Sequence, residues 1–181
     1  MRAAFLAFGA FVVVGCSDPA APVYLTQHFG PEDLKPTLKR LDAGARTIVC
    51  ELPGGSTVST QALAREVERR GISVVVPAGA TCQSGGAYLV LAAARTGNAE
   101  VSESGAVRLH PRYSAPPGWR PGRTDIDNTQ FVKRRFEEWA PAWMAYGVSE
   151  VTLREVEKKD YGTFYQLKPE ELMALGVKIT P

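Results

Sequence analysis

Apolar positions along the chain follow two rhythms: short unbroken runs, and longer stretches spaced by three or four. Residues 22–29 (PVYLTQHF) predict a first strand, 46–52 (RTIVCEL) a second and 72–76 (ISVVV), almost wholly β-branched, a third. Helical stretches lie between them. Residues 31–41 open on Pro31-Glu32-Asp33, a proline and acids suited to a first turn, and run out near Gly44. Pro36 inside this stretch predicts a later start. Residues 60–70 place Leu63 and Val67 four apart, with Gly71 as the stop. Apolar strands alternating with helices belong in a mostly parallel sheet covered on both faces, which makes this an α/β chain.

The second half continues the pattern. Residues 87–94 (AYLVLAAA) are apolar all round and predict a buried helix. Residues 105–113 (GAVRLHPRY) read as a strand carrying His110, and 114–123 (SAPPGWRPGR) as a Pro/Gly-rich loop. A helix over 127–146, interrupted at Pro141, is followed by a charged-faced helix over 150–159 and a short terminal one over 168–175 that Gly176 stops. Neither repeat nor linker divides the chain, so 17–181 reads as one domain.

Composition adds limits. A chain of 181 residues with 45% apolar content can bury a sizeable core, and 22% charged residues is too ordinary for a disordered chain. The net charge of +2 contains no Lys/Arg block, which leaves nucleic-acid binding unsupported. The charges in 65–70 read as a solvated helix face. The two histidines, His28 and His110, are too far apart in sequence to signal a metal, and no motif calls for an organic cofactor. Trp119, Trp139 and Trp143 read as core or lid packing.

The first sixteen residues differ from the rest. A single Arg2 precedes an uncharged run over 3–15, shorter than the roughly 20 residues needed to span a bilayer. This is the pattern of a secretory signal, with an uncleaved short anchor as the alternative. Its end, Val13-Val14-Gly15-Cys16, resembles the bacterial lipoprotein box. That resemblance implies a lipidated Cys16 and a membrane-tethered, periplasm-facing protein. Export to an oxidising compartment leaves Cys50 and Cys82 either bonded to each other or as buried thiols.

Three features can carry chemistry. Pro53-Gly54-Gly55 closes one strand, Ser84 precedes the buried helix, and His110 lies on a later strand. A serine hydroxyl needs a base, and imidazole is the usual one near neutral pH. A serine at a helix N-terminus also faces unpaired amide N–H groups that can hold an oxyanion. Loops after neighbouring parallel strands meet at one sheet edge, so the glycine pair and Ser84 can converge. Each residue has a purely structural reading as well: Ser84 as a helix cap, His110 bonded to a backbone carbonyl, the glycines as a tight turn.

The order PGG, a helix containing AREVERRG, a strand, CQSGGAYLVLAAA and then VRLHP resembles the ClpP-like serine proteases of the ClpP/crotonase superfamily, most of all the small secreted bacterial members. The likeness covers residues 22–113 best. It implies a fold of repeated β-β/α units, a peptide or protein substrate and a homo-oligomer. It also implies Ser84 as nucleophile, His110 as base, and Gly54, Gly55 and Gly85 as oxyanion and substrate-backbone donors. The family's aspartate precedes the final short helix; Asp160 fills that role with a small insertion, whereas an ungapped match falls on Thr163 or Phe164. Two rival functions share this fold, a non-catalytic binding or scaffolding lipoprotein and acyl-CoA chemistry of the crotonase branch. Export and the serine–histidine pair speak against the second.

Overall fold

The computed structural model describes residues 18–116 and 131–181. In chain order the elements are β1 (Val23–Leu25), α1 (Pro31–Asp42), β2 (Thr47–Cys50), α2 (Thr57–Arg70), β3 (Ser73–Val76), β4 (Thr81–Gln83), α3 (Ala87–Ala94), β5 (Ala99–Ser102), β6 (Ala106–Leu109), β7 (Tyr113–Ser114), β8 (Val132–Lys133), α4 (Phe136–Met144), α5 (Glu150–Glu157), β9 (Tyr165–Gln166), α6 (Pro169–Ala174) and β10 (Lys178–Thr180). The leader, Cys16 and Trp119 lie outside the described residues.

The main sheet has the order β1-β2-β3-β5-β10 and every pairing in it is parallel. Ile48 pairs with Val74, and Val74 with Ala99, so the fully buried side chains of adjacent strands stack in one layer. A smaller sheet, β4-β6-β9, pairs β4 with β6 in parallel and β6 with β9 antiparallel. All eight residues of α3 are buried, because this helix packs on α2 and on strands of both sheets. The fold class is the expected one, a mostly parallel sheet with flanking helices.

Several boundaries move for local reasons. The first helix begins at Pro31, where a missing N–H costs nothing, and it carries Pro36 in its interior. α2 starts three residues earlier than the apolar spacing predicts, because Ser56 caps it: its Oγ accepts the Ser59 N–H at 3.4 Å. Gly71 ends the same helix in the left-handed conformation, φ +61°. Pro141 does not interrupt α4. Of the helix expected over 127–146, residues 127–130 lie outside the described part, and 131–135 hold β8 instead. Among the described residues, no helix is long and apolar enough to cross a membrane.

Candidate active site

The exits of β2 and β4 build the site. β2 leads into Pro53-Gly54-Gly55, and β4 leads into Ser84. Three ties lock the two exits together. The Gln83 N–H donates to Leu52 O at 3.0 Å, and Gln83 Nε2 donates to Pro53 O at 3.0 Å. The third is a disulfide between Cys50 and Cys82, whose Cα atoms are 5.5 Å apart. Sequence reasoning left this pair open between a bridge and free thiols, and the structure contains the bridge. It closes a separation of 32 residues, for which loop-closure entropy gives about 3–4 kcal/mol. Replacing both cysteines by alanine is therefore expected to lower the unfolding free energy by about that much in a urea titration. An unchanged midpoint would show that the bridge contributes nothing.

Ser84 sits in a 3-10 turn, Ser84–Gly86, that runs into α3. It is the one described non-glycine residue with positive φ, at +54°. That conformation costs an L-residue roughly 1–2 kcal/mol and presents the side chain on a sharp bend between strand and helix. The two glycines behind it allow the bend to pack tightly. A Cβ on Gly86 would stand 2.9 Å from Leu52 Cβ, and one on Gly85 2.7 Å from Thr60 Oγ1.

His110 follows β6 directly rather than lying within the strand. Its Nε2 is 2.7 Å from Ser84 Oγ. Its Nδ1 lies 2.5 Å from the Pro111 carbonyl, which can only accept. The proton therefore sits on Nδ1, and Nε2 is left as the acceptor for the serine O–H. Burial holds the imidazole below its ordinary pKa, and the Pro111 carbonyl opposes this.

Asp160 is not the partner of this histidine. Its side chain is 90% exposed and faces Lys133 Nζ at 3.6 Å. The reason is the register of the small sheet. β9 pairs antiparallel to β6, with Leu109 opposite Tyr165, so the residue before Tyr165 comes beside the one after Leu109. That residue is Phe164, whose ring meets the His110 ring edge-on at 5.2 Å. Phe164 thus stands where the ungapped family match places the aspartate.

Gly54 lies across from the serine: a Cβ there would be 3.3 Å from Ser84 Cβ, and its φ of +132° suits only glycine. Gly55 forms an isolated bridge with Phe29, in which Gly54 O accepts the Phe29 N–H at 3.1 Å. The N–H groups of Gly54 and Gly55 themselves have no acceptor among the described residues. These free amides, Ser84 and His110 line one cleft of about 850 Å³. Much of its wall is aromatic: Trp143 stacks on Tyr88 at 3.8 Å, Phe131 stacks on Tyr161, and Trp139 and Phe164 also line it. Ala115, from the loop after β7, and residues of α4 border the cleft, whereas 117–123 lie outside the described part.

Sequence reasoning named the serine, the histidine and the glycines that meet here. It offered a backbone carbonyl as a structural partner of His110 without saying which, named Phe164 only as an ungapped aspartate position, and missed Thr60.

No protein-family model and no curated protein sequence matches this chain. Solved structures do. A variant of a membrane-bound stomatin-specific protease, in complex with a substrate peptide, is 19% identical with a TM-score of 0.50, over 87% of this chain and 74% of that one. The ClpP protease catalytic domain from Plasmodium falciparum is 13% identical with a TM-score of 0.57, over 88% of this chain and 84% of that one. The fold is therefore ClpP-like.

Proposed function

We propose that this protein is a serine peptidase working through a Ser84–His110 dyad. The observation that carries this is the 2.7 Å contact between Ser84 Oγ and His110 Nε2, beside free glycine amides in a cleft of peptide-accommodating size. Ser84 Oγ attacks a peptide carbonyl while Nε2 takes its proton. The amides of Gly85 and of Gly54 or Gly55 hold the oxyanion. Collapse of the tetrahedral species passes the proton from Nε2 to the leaving amine and leaves an acyl-serine. Water, activated by the same nitrogen, then releases the acid and restores the hydroxyl.

The Pro111 carbonyl replaces a carboxylate in one of its two tasks. It fixes the tautomer and the ring orientation, but being neutral it stabilises the imidazolium less than an aspartate does. Turnover is therefore expected below that of a carboxylate-supported triad. The same reading places the protein outside the cytoplasm. A disulfide persists in an oxidising compartment, and the first sixteen residues read as a signal ending in a lipidatable Cys16. The peptidase would then work while tethered at the periplasmic face of a membrane.

The test is labelling by a small fluorophosphonate. Wild type should form a covalent adduct at Ser84 and Ser84→Ala none. A folded wild-type protein that stays unlabelled would leave the non-catalytic binding reading.

Acidity gives a second check. The base must be neutral, and burial sets its pKa below 6.5. Activity should then be flat at neutral pH and fall only on acidification below 6.5, through the depressed value. Stability follows the same direction. The unfolded imidazole takes up its proton first, so stability is full above 6.5 and is lost as pH falls toward the folded-state pKa. A kcat/KM profile with an acid limb above 6.5 would contradict this.

A further inference from the structure

The cleft extends beyond Ser84 along α3, and its wall holds a cation, Arg112, that has no partner among the described residues. Of the charged residues that line it, Glu138 is tied up with Arg134 and Arg135, and Glu32 lies at the start of α1 against Gly30. Arg112 has no hydrogen-bond or ion-pair partner for its guanidinium among the described residues. Its backbone is nonetheless fixed, because its carbonyl accepts the Arg134 N–H at 2.8 Å. Its charge opposes the burial that pushes the Tyr88 hydroxyl up to about 12. Tyr88 is one helical turn past the nucleophile turn and is almost wholly buried. A guanidinium with no partner among the described residues therefore borders the aromatic cleft that holds Ser84.

We propose that Arg112 is a specificity residue, and that the cleft prefers peptides carrying a carboxylate next to the scissile bond. This rests on the peptidase reading above. Arg112 is two residues past His110, so its Cα lies about 7 Å from that of the base, and its side chain extends a further ~6 Å. That reach covers one to two residues either side of the reacting carbonyl. Arg112 is exposed at the edge of the aromatic wall, so a carboxylate can reach it from solvent, and its planar fork can hold both carboxylate oxygens. An aromatic wall alone would favour neutral apolar groups; the guanidinium of Arg112 changes that preference. The carboxylate can belong to an Asp or Glu side chain or to a free chain end.

Matched peptides distinguish the two sources. One set carries Glu or Gln at each position within two residues of the cleaved bond, and each peptide is made with a free and with an amidated C-terminus. Wild type should cleave the favoured carboxylate peptide with kcat/KM about 3–10-fold above its neutral twin. A gain from Glu in amidated peptides identifies a side-chain site; a gain only from the free end identifies a terminal one. Arg112→Gln should bring the ratio near one, Arg112→Lys should keep part of it, and Arg112→Glu should invert it toward a Lys-bearing peptide. Melting curves show that the variants fold. A wild-type ratio below about threefold, no cleavage of any member, or an Arg112→Gln protein that keeps the preference overturns the proposal. Fluorophosphonate labelling of wild type separates the causes. If Ser84 labels, only the Arg112 assignment falls; if it does not, the peptidase reading falls with it.

Discussion

Replacing either Ser84 or His110 by alanine is expected to lower kcat by about 10⁴–10⁶-fold against any peptide the protein cleaves, with the double replacement no worse than either single one. The non-additivity follows from the geometry. Ser84 Oγ and His110 Nε2 share one hydrogen bond, and neither does chemistry without the other. Once one is gone, the glycine amides still bind the carbonyl, so a small residual rate over water should persist in all three proteins. Asp160→Asn is the contrasting variant. Its carboxylate is exposed and faces Lys133, so kcat should stay within about threefold of wild type. A large loss in Asp160→Asn would mean that the 160–164 turn rearranges to bring a carboxylate onto the histidine, and the dyad would have to become a triad. Equal small losses in Ser84→Ala and His110→Ala would end the nucleophile–base assignment.

What the sequence reveals here and what it hides have different physical origins. The parallel sheet is legible because its strands are buried on both faces, so TIVC and SVVV need apolar side chains at almost every position. The buried helix α3 is legible for the same reason. β4, β5, β9 and β10 are short and carry polar residues such as Thr81, Glu100, Gln166 and Lys178, so nothing in their pattern separates them from loops. The site divides along the same line. Ser84 and His110 announce themselves by residue type, and Gly54, Gly55 and Gly85 by the freedom or space that only glycine supplies. The partner of His110 Nδ1 cannot be read that way, because it is a main-chain carbonyl that every residue possesses. Asp160 attracted attention by its chemistry alone, and the pairing of Leu109 with Tyr165, a long-range register, then set Phe164 beside the ring.

Gly85→Ala is expected to lower kcat by about 10²–10³-fold with little change in KM, and to cost about 1–3 kcal/mol of stability. The backbone at Gly85 has no positive φ, so an alanine is tolerated conformationally and the obstacle is space. An added Cβ would lie 2.7 Å from Thr60 Oγ1, 3.0 Å from Thr60 Cγ2 and 3.2 Å from Thr60 Cβ. Thr60 cannot turn away cheaply. It is fully buried, and its Oγ1 donates to Ser56 O at 2.9 Å in the first turn of α2. The clash must therefore push the Ser84–Gly86 turn off α2, which moves both the nucleophile and the Gly85 amide. A donor displaced by a fraction of an ångström still binds the ground-state carbonyl but loses the oxyanion, so the damage falls on kcat. Thr60→Ala removes Oγ1 and Cγ2 and leaves only the 3.2 Å contact. The double variant Thr60→Ala/Gly85→Ala should accordingly regain most of the lost rate, while Thr60→Ala alone should cost about 1 kcal/mol for its missing hydrogen bond. A Gly85→Ala protein with wild-type kcat would remove Gly85 from the oxyanion site. One that is not rescued by Thr60→Ala would show that the glycine matters there for a reason other than the threonine beneath it.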